Sequence, residues 1–461
     1  ADVEINVRKS VFTPTDPHID YVTVRGFRLG RAATPWAPPT AEQVGLIGPG
    51  WAKGWVIEDN LIFDSKCAGI SLGKERGTGQ NKSTVYGDKP GYQYQIEAVH
   101  DALDRGWSRE QIGSHLVRRN VIRDCGQNGI VGHLGCVFST IADNHIYRIG
   151  TKHEFFGAEI AGIKLHAPID VQIVHNRIHD TTLGIWLDWQ VQGARVTRNV
   201  LYRNTRDLFV EVCHGPTLID HNLLASPIAL ELLSQGNALV GNLIAGSVRV
   251  QNVLDRATPY HRAHSTTVAG HAFTYAGDDR WYGNLFVGAP GGAYHPDLPL
   301  PMKQDDFPLE TYGTEAYEGF PGSWEDYLAR VAAAASPIDH VRFHFQRQAA
   351  YLGHNVYAGG ARPASHEATA VVVAGPATAR VSDDDDTVWL DLDLPSAVLE
   401  AVTPVTTGAD LGHVRIAGLE FENPDGTPVR ADIDLLGNWK TAPAAAGPLQ
   451  YLATGPTKIW W

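Results

Sequence analysis

A short phrase of the form Val/Ile-x-x-Asn-x-Ile/Leu recurs along this chain at a spacing that few folds can accommodate. It centres on Asn60, Asn120, Asn144, Asn176, Asn199 and Asn222, with later copies at Asn242, Asn284 and Asn355. The steps from Asn120 to Asn144, Asn176 to Asn199 and Asn199 to Asn222 are 24, 23 and 23 residues. A unit of that length cannot bury an apolar face alone and must stack on its neighbours. Within each copy the apolar positions alternate, which is the period of a strand. The pattern therefore predicts an all-β chain, a right-handed parallel β-helix whose coils of ~23 residues place strands in long parallel sheets. The repeated Asn is read as architecture: it suits a tight, left-handed turn and bonds its neighbours in the stack.

A chain of 461 residues would ordinarily suggest two or three domains. A solenoid escapes that expectation because it lengthens without thickening its core. The 47 Gly and 27 Pro beside a single Met fit many tight turns. A net charge of −13 without a basic tract argues against nucleic acid and anionic membranes as partners. No apolar run approaches the ~20 residues needed to span a bilayer. Cys67, Cys125, Cys136 and Cys213 have neither CxxC nor zinc-type spacing. They read as buried free thiols of a reducing compartment, so a cytoplasmic protein without metal or cofactor is expected.

The β-helix is expected over residues 1–360, with insertions at 74–115, 150–161, 250–282 and 289–350. The first contains an amphipathic run, Gln95–Leu103, and a helix start capped by Ser108. The second carries Glu154, Phe155, Phe156 and Glu159. The third is rich in His, Tyr and Arg (Tyr260, His261, Arg262, His264, His271, Tyr275, Trp281), and the fourth holds a helix from Ser323 to Ala334. Residues 361–461 read as last coils and capping strands, with a solvated acidic turn at Asp383–Asp386 as the reading preferred over a calcium site. At the other end, Val3–Val11 and Ile19–Arg28 read as coil strands with no cap before them. A lost N-terminal segment, a separate N-terminal polypeptide or another partner chain would cover them.

Chemistry is expected where ionisable residues recur at one offset from the Asn ladder. Asp188 lies 12 residues after Asn176, and Glu211 12 residues after Asn199. Equal offsets place them on consecutive coils, about 4.7–4.9 Å apart and on the same side. Matching the local motifs extends the column to Gly73, His133, His166, Asp188, Glu211 and Glu231. Two stacked carboxylates with no cation between them repel, so one should hold a proton near neutral pH. Trp186 and Trp189 flank the pair, and exposed indoles beside paired acids suit the face of a sugar ring. Carboxyls ~5–5.5 Å apart belong to retaining glycosidases and ~6.5–9.5 Å to inverting ones, so neighbouring coils favour retention.

The segments Gly184-Ile185-Trp186-Leu187-Asp188-Trp189-Gln190 and Phe209-Val210-Glu211-Val212-Cys213-His214-Gly215-Pro216 resemble those of the glycoside hydrolase family 120 β-xylosidases. The likeness extends over residues 1–360 and is strongest over 160–225. It implies a right-handed parallel β-helix and a retaining, exo-acting enzyme that releases xylose from the non-reducing end of xylo-oligosaccharides. Asp188 matches the nucleophile and Glu211 the acid/base, while Glu159 matches a position that holds sugar hydroxyls. Family members are longer, this chain resembling their C-terminal portion, and form homo-oligomers in which a neighbouring subunit completes the pocket. In this frame Asp188 stays ionised with help from His166, and Glu211 starts as the acid. Glu231 either tunes Glu211 or is a surface acid, and His133 and His166 either serve the site or only stack. His214 and the insertion at 260–281 are candidates for hydroxyl recognition.

Two other readings compete. A pectin-acting β-helix (polygalacturonase or lyase) is echoed by Gly277-Asp278-Asp279 and Gly162-Ile163-Lys164, but the order of these motifs is reversed and no Gly-His-Gly joins them. A non-catalytic carbohydrate-binding β-helix would carry Asn, Thr and Ser in the column rather than acids and histidines.

Overall fold

The chain is a parallel β-helix. The structure, a computed structural model, describes residues 3, 5–36, 41–78, 85–155, 159–288, 311–384 and 387–460. Three parallel sheets of 10, 11 and 8 strands form its walls. Period-2 alternation assigns the faces. In the eight-stranded sheet Ile163, Ile185, Leu208 and Leu230 stack in register inside the coil, as do Leu165, Leu187, Val210 and Leu232. All eight are fully buried. The intervening residues point outward, and the candidate site forms there.

The Asn ladder runs the length of the coil as one chain of buried hydrogen bonds. Asn176 donates its backbone N–H to Asn199 Oδ1 at 2.8 Å, and Asn199 donates likewise to Asn222 at 2.9 Å. The series ends where Asn355 Nδ2 donates to Glu367 Oε1 at 2.8 Å. One expectation is corrected in detail: the left-handed residue is not the Asn but the one before it. Arg119, His175, Arg198 and His221 have φ of 52°, 53°, 56° and 53°. The Asn is freed from the turn to spend both ends of its amide on the neighbouring coils.

The insertions behave differently from one another. Gly91–Asp104 is an α-helix, but Ser108–Gln111 forms a turn that runs into Ile112 rather than starting a helix. Residues 253–261 and 268–274 pair as an antiparallel hairpin. Trp281 belongs to the coil strand Asp279–Tyr282 and is fully buried, so it is core rather than insertion. The helix Trp324–Ala333 is capped by Ser323, whose hydroxyl accepts from Asp326 N at 3.1 Å. Residues 79–84, 156–158 (with Phe156) and 289–310 of the insertions lie outside the described residues.

After Val371–Val372, the last strand of the coil, the chain runs back along its flank. Val388, Leu390, Leu392 and Ile459 pack on Tyr202, Leu223, Leu243 and Leu285 of the 11-stranded sheet. Asp383 is not a solvated turn residue: it accepts from Arg177 Nη2 at 2.6 Å and Tyr202 Oη at 2.9 Å. These bonds tie the flanking strands to the coil. Asp385 and Asp386 lie outside the described residues. Among the described residues of the two early segments, Thr23–Arg25 and Arg28–Gly30 are strands, and Val3, Ile5 and Val7 are exposed. Among the described residues no helix is long and apolar enough to cross a membrane.

Candidate active site

The ends of four adjacent strands build the site: Asn128–His133, Ala161–His166, Leu183–Asp188 and Arg206–Glu211. Register aligns His133, His166, Asp188 and Glu211 as successive Cα partners. The coil closes tightly behind them; a Cβ on Gly184 would stand 2.6 Å from the Asp207 carbonyl oxygen. The column departs from expectation at its last member. Leu233, not Glu231, is opposite Glu211; Glu231 is opposite Phe209, one outward position away. There it pairs with Arg206 and, at 3.0 Å, with Arg249, which accounts for its buried charge without the catalytic pair.

Asp188 is held from one side. Its Oδ2 receives the Lys164 ammonium in direct contact and lies 3.5 Å from His166 Nδ1. Its Oδ1 is buried and has no hydrogen-bond partner among the described residues. Lys164 is itself fully buried and lies 3.4 Å above the Trp186 ring, 3.5 Å from Glu159 Oε1. Glu159, at φ 71°, accepts from His166 Nε2 at 2.7 Å and from Gln43 Nε2 at 2.8 Å. Burial alone would raise the Glu159 carboxyl, but the charges of His166 and Lys164 outweigh it and hold the group down to about 2. Glu159, His166 and Asp188 bring ligand atoms within 4.8 Å of one another. The Lys164 ammonium already bridges the two carboxylates of that set, as a cation would.

Glu211 is held differently. Its Oε2 accepts from Trp186 Nε1 at 3.1 Å, and its Oε1 contacts the Arg256 guanidinium. Burial and then the Asp188 charge push its carboxyl up to about 7, against the opposing pull of Arg256 and Lys164. The two acids therefore differ in environment, one against an ammonium with an oxygen to spare, the other poised to hold a proton. Such a pair can divide the roles of nucleophile and proton donor.

Sequence reasoning missed Lys164 and Arg256, and with them the cations beside the pair. Lys164 was within reach, since it precedes His166 by two residues and so shares its face. Arg256 carried no local signal because the hairpin's fold delivers it. Two expected roles are also corrected. Trp189 is not an exposed platform: it is buried under Tyr92, ring centroids 5.5 Å apart. His214 donates from Nε2 to the Thr258 carbonyl at 3.1 Å while Nδ1 accepts from Gln235 at 2.8 Å. Burial pushes this imidazole down to about 4, so it anchors the hairpin as a neutral ring and has no nitrogen left for a sugar. Trp186 is half-buried, stacked on Phe209 at 5.2 Å. The His133 and His166 rings meet at a tilt of 42°, their centroids 4.9 Å apart.

No protein-family model matches this chain, and no curated protein does. A solved structure described as the complex of XylC with xylose is similar to it at 49% identity and a TM-score of 0.91, covering 98% of this chain and 68% of XylC. The chain belongs to the XylC family, glycoside hydrolase family 120. The β-helix and its outward column of acids are thus read within a family of glycoside hydrolases. A pectate lyase, Pel9A, is similar only at 9% identity and a TM-score of 0.31 over 60% of this chain and 65% of its own, too weak a likeness to carry any argument.

Proposed function

We propose that the protein is a retaining, exo-acting β-xylosidase that hydrolyses xylo-oligosaccharides by double displacement. The observation that carries this reading is the in-register pair Asp188 and Glu211 on adjacent strands, one carboxylate oxygen of Asp188 held by Lys164 and the other without a hydrogen-bond partner among the described residues. Asp188 Oδ1 attacks the anomeric carbon. The bond to the leaving oxygen breaks as Glu211 delivers its proton there, leaving a covalent xylosyl-aspartate. Glu211, now ionised, takes a proton from water as the water oxygen attacks the same carbon and releases Asp188. Strands of a parallel sheet lie about 4.7–4.9 Å apart, which suits the ~5–5.5 Å carboxyl separation of retention. The near-complete burial of Asp188 suits a pocket for a chain end rather than an open groove. Xylose is supported by the sugar bound to XylC. Glu159 and His166, beside the nucleophile, are the groups assigned to the sugar hydroxyls.

Hydrolysis of aryl β-xylosides and xylobiose by wild type, Asp188→Ala and Glu211→Ala tests the mechanism. Asp188→Ala should be inactive on both. Glu211→Ala should keep more activity on aryl glycosides with acidic leaving groups, which need no protonation. Undiminished turnover by Asp188→Ala, or equal loss by Glu211→Ala on every substrate, would refute the assignment. Product analysis in methanol should yield the methyl xyloside of retained configuration, and an inverted product would replace the covalent route by direct displacement.

A further inference from the structure

We infer that Arg256 is a positioning residue for proton transfer: its guanidinium aims the Glu211 carboxyl and sets the pH above which that carboxyl no longer carries its proton. The inference rests on the reading of Glu211 as the acid/base. Arg256 does not come from the β-helix. It lies on the Val253–His261 strand of the hairpin, so the cation's place is independent of the strand that carries Glu211.

Several bonds fix that place. Gln192 Nε2 donates to the His261 carbonyl at 3.0 Å while its Oε1 accepts from His261 N at 2.9 Å. His214 donates to the Thr258 carbonyl, and Gln235 Nε2 donates to the Phe273 carbonyl at 3.0 Å on the returning strand. These buried amides and the imidazole strap the hairpin to the coil. The guanidinium is gripped in turn by two rings, 4.3 Å from the Tyr92 centroid and 5.5 Å from that of Trp189. Its Nε–H is buried and makes no hydrogen bond among the described residues, leaving Glu211 and the ring faces as its partners there.

The groups that face Glu211 divide by sign. Asp188 on the preceding strand opposes its ionisation, whereas Arg256 from the hairpin and Lys164 two strands back favour it; Leu233 lies opposite on the following strand. Tyr92, from the Gly91–Asp104 helix, packs on the guanidinium. Without Arg256, Lys164 would be left to oppose burial and the Asp188 charge, which both hold the proton on. A group that must give up its proton to the leaving oxygen and then accept one from water needs the opposing charge.

The test follows kcat/KM against pH on 4-nitrophenyl β-xyloside for wild type, R256K, R256Q, R256M and E211Q, with thermal unfolding of each. Glu211 must be protonated in the first step, so wild-type kcat/KM should fall as pH rises through its pKa. Removing the guanidinium charge should move that limb upward by about one pH unit or more in R256Q and R256M, while R256K keeps it near the wild-type position. A merely structural Arg256 would lower activity or unfolding temperature and leave the limb in place. E211Q should lack the limb. A limb unmoved in R256Q and R256M while absent in E211Q overturns the role of Arg256 alone; a limb that persists in E211Q overturns the acid/base reading and this inference with it. R256Q keeps a planar donor group, so it supplies the same readout if R256M does not fold.

Discussion

Replacing Lys164 by Met removes the ammonium in direct contact with Asp188 and keeps the volume of a fully buried side chain nearly constant. Two unit charges at about 4 Å interact by ~4 kcal/mol at an effective dielectric of ~20. Lys164 is in contact with Asp188 and 3.5 Å from Glu159. Without the ammonium, two buried carboxylates face each other across His166, and a proton taken up by either relieves the repulsion. Removing one member of a buried ion pair costs ~3–5 kcal/mol. If about 3 kcal/mol of that falls on the transition state for attack by Asp188, the rate drops about 10²-fold. The assay is the rate of covalent trapping by a 2-deoxy-2-fluoro-xyloside, which isolates the first chemical step, beside kcat/KM on an aryl xyloside. K164M should trap at least 10²-fold more slowly than wild type while its circular dichroism stays that of the folded chain. K164R keeps the charge but overfills the site and should fall between the two. Folded K164M trapping at the wild-type rate would refute the argument that the ammonium maintains the nucleophile.

Three further outcomes are expected. Asp220 is buried against Arg195 in a two-point ion pair, 2.8 and 2.9 Å, and although burial opposes it, Arg195 and His221 hold its carboxyl well below the usual range. A depressed folded-state pKa contributes stability above the unfolded value of ~3.9 that is lost as pH falls below it; D220N should lower the melting temperature at neutral pH and flatten its decline in acid. In the ladder, N199A deletes an amide that makes bonds to Ile173, Asn176 and Asn222 and leaves buried partners unpaired at ~1–3 kcal/mol each, so a drop in unfolding temperature larger than that of a variant at the half-buried neighbour, R198A, is expected. The four cysteines are buried and free, and burial pushes the Cys125, Cys136 and Cys213 thiols up to about 12. A thiol reagent should label none of these three until the chain unfolds.

Much of this molecule is local enough to be read from its sequence. The Asn spacing and the apolar alternation determine the coil, because each residue in a parallel stack meets its equivalent one repeat away. The same rule brings Asp188 opposite Glu211. Motif matching errs by two residues at Glu231: the 12-residue offset from Asn222 falls on Ser234, and Leu233 is the residue opposite Glu211.

The rest was decided by the tertiary structure. Lys164 lies on the right face by alternation, yet only packing shows that its ammonium turns back between Glu159 and Asp188 instead of reaching solvent. Trp189 and His214 sit beside the pair in sequence, but the hairpin and the Gly91–Asp104 helix claim them, one as a surface under Tyr92 and Arg256, the other as an anchor. Arg256 reaches Glu211 across 45 residues of chain by an antiparallel turn that no repeat governs. A repeat determines where its own members stand, so the acids were legible; the charges that tune them come from segments outside the repeat, whose positions follow from long-range contacts alone.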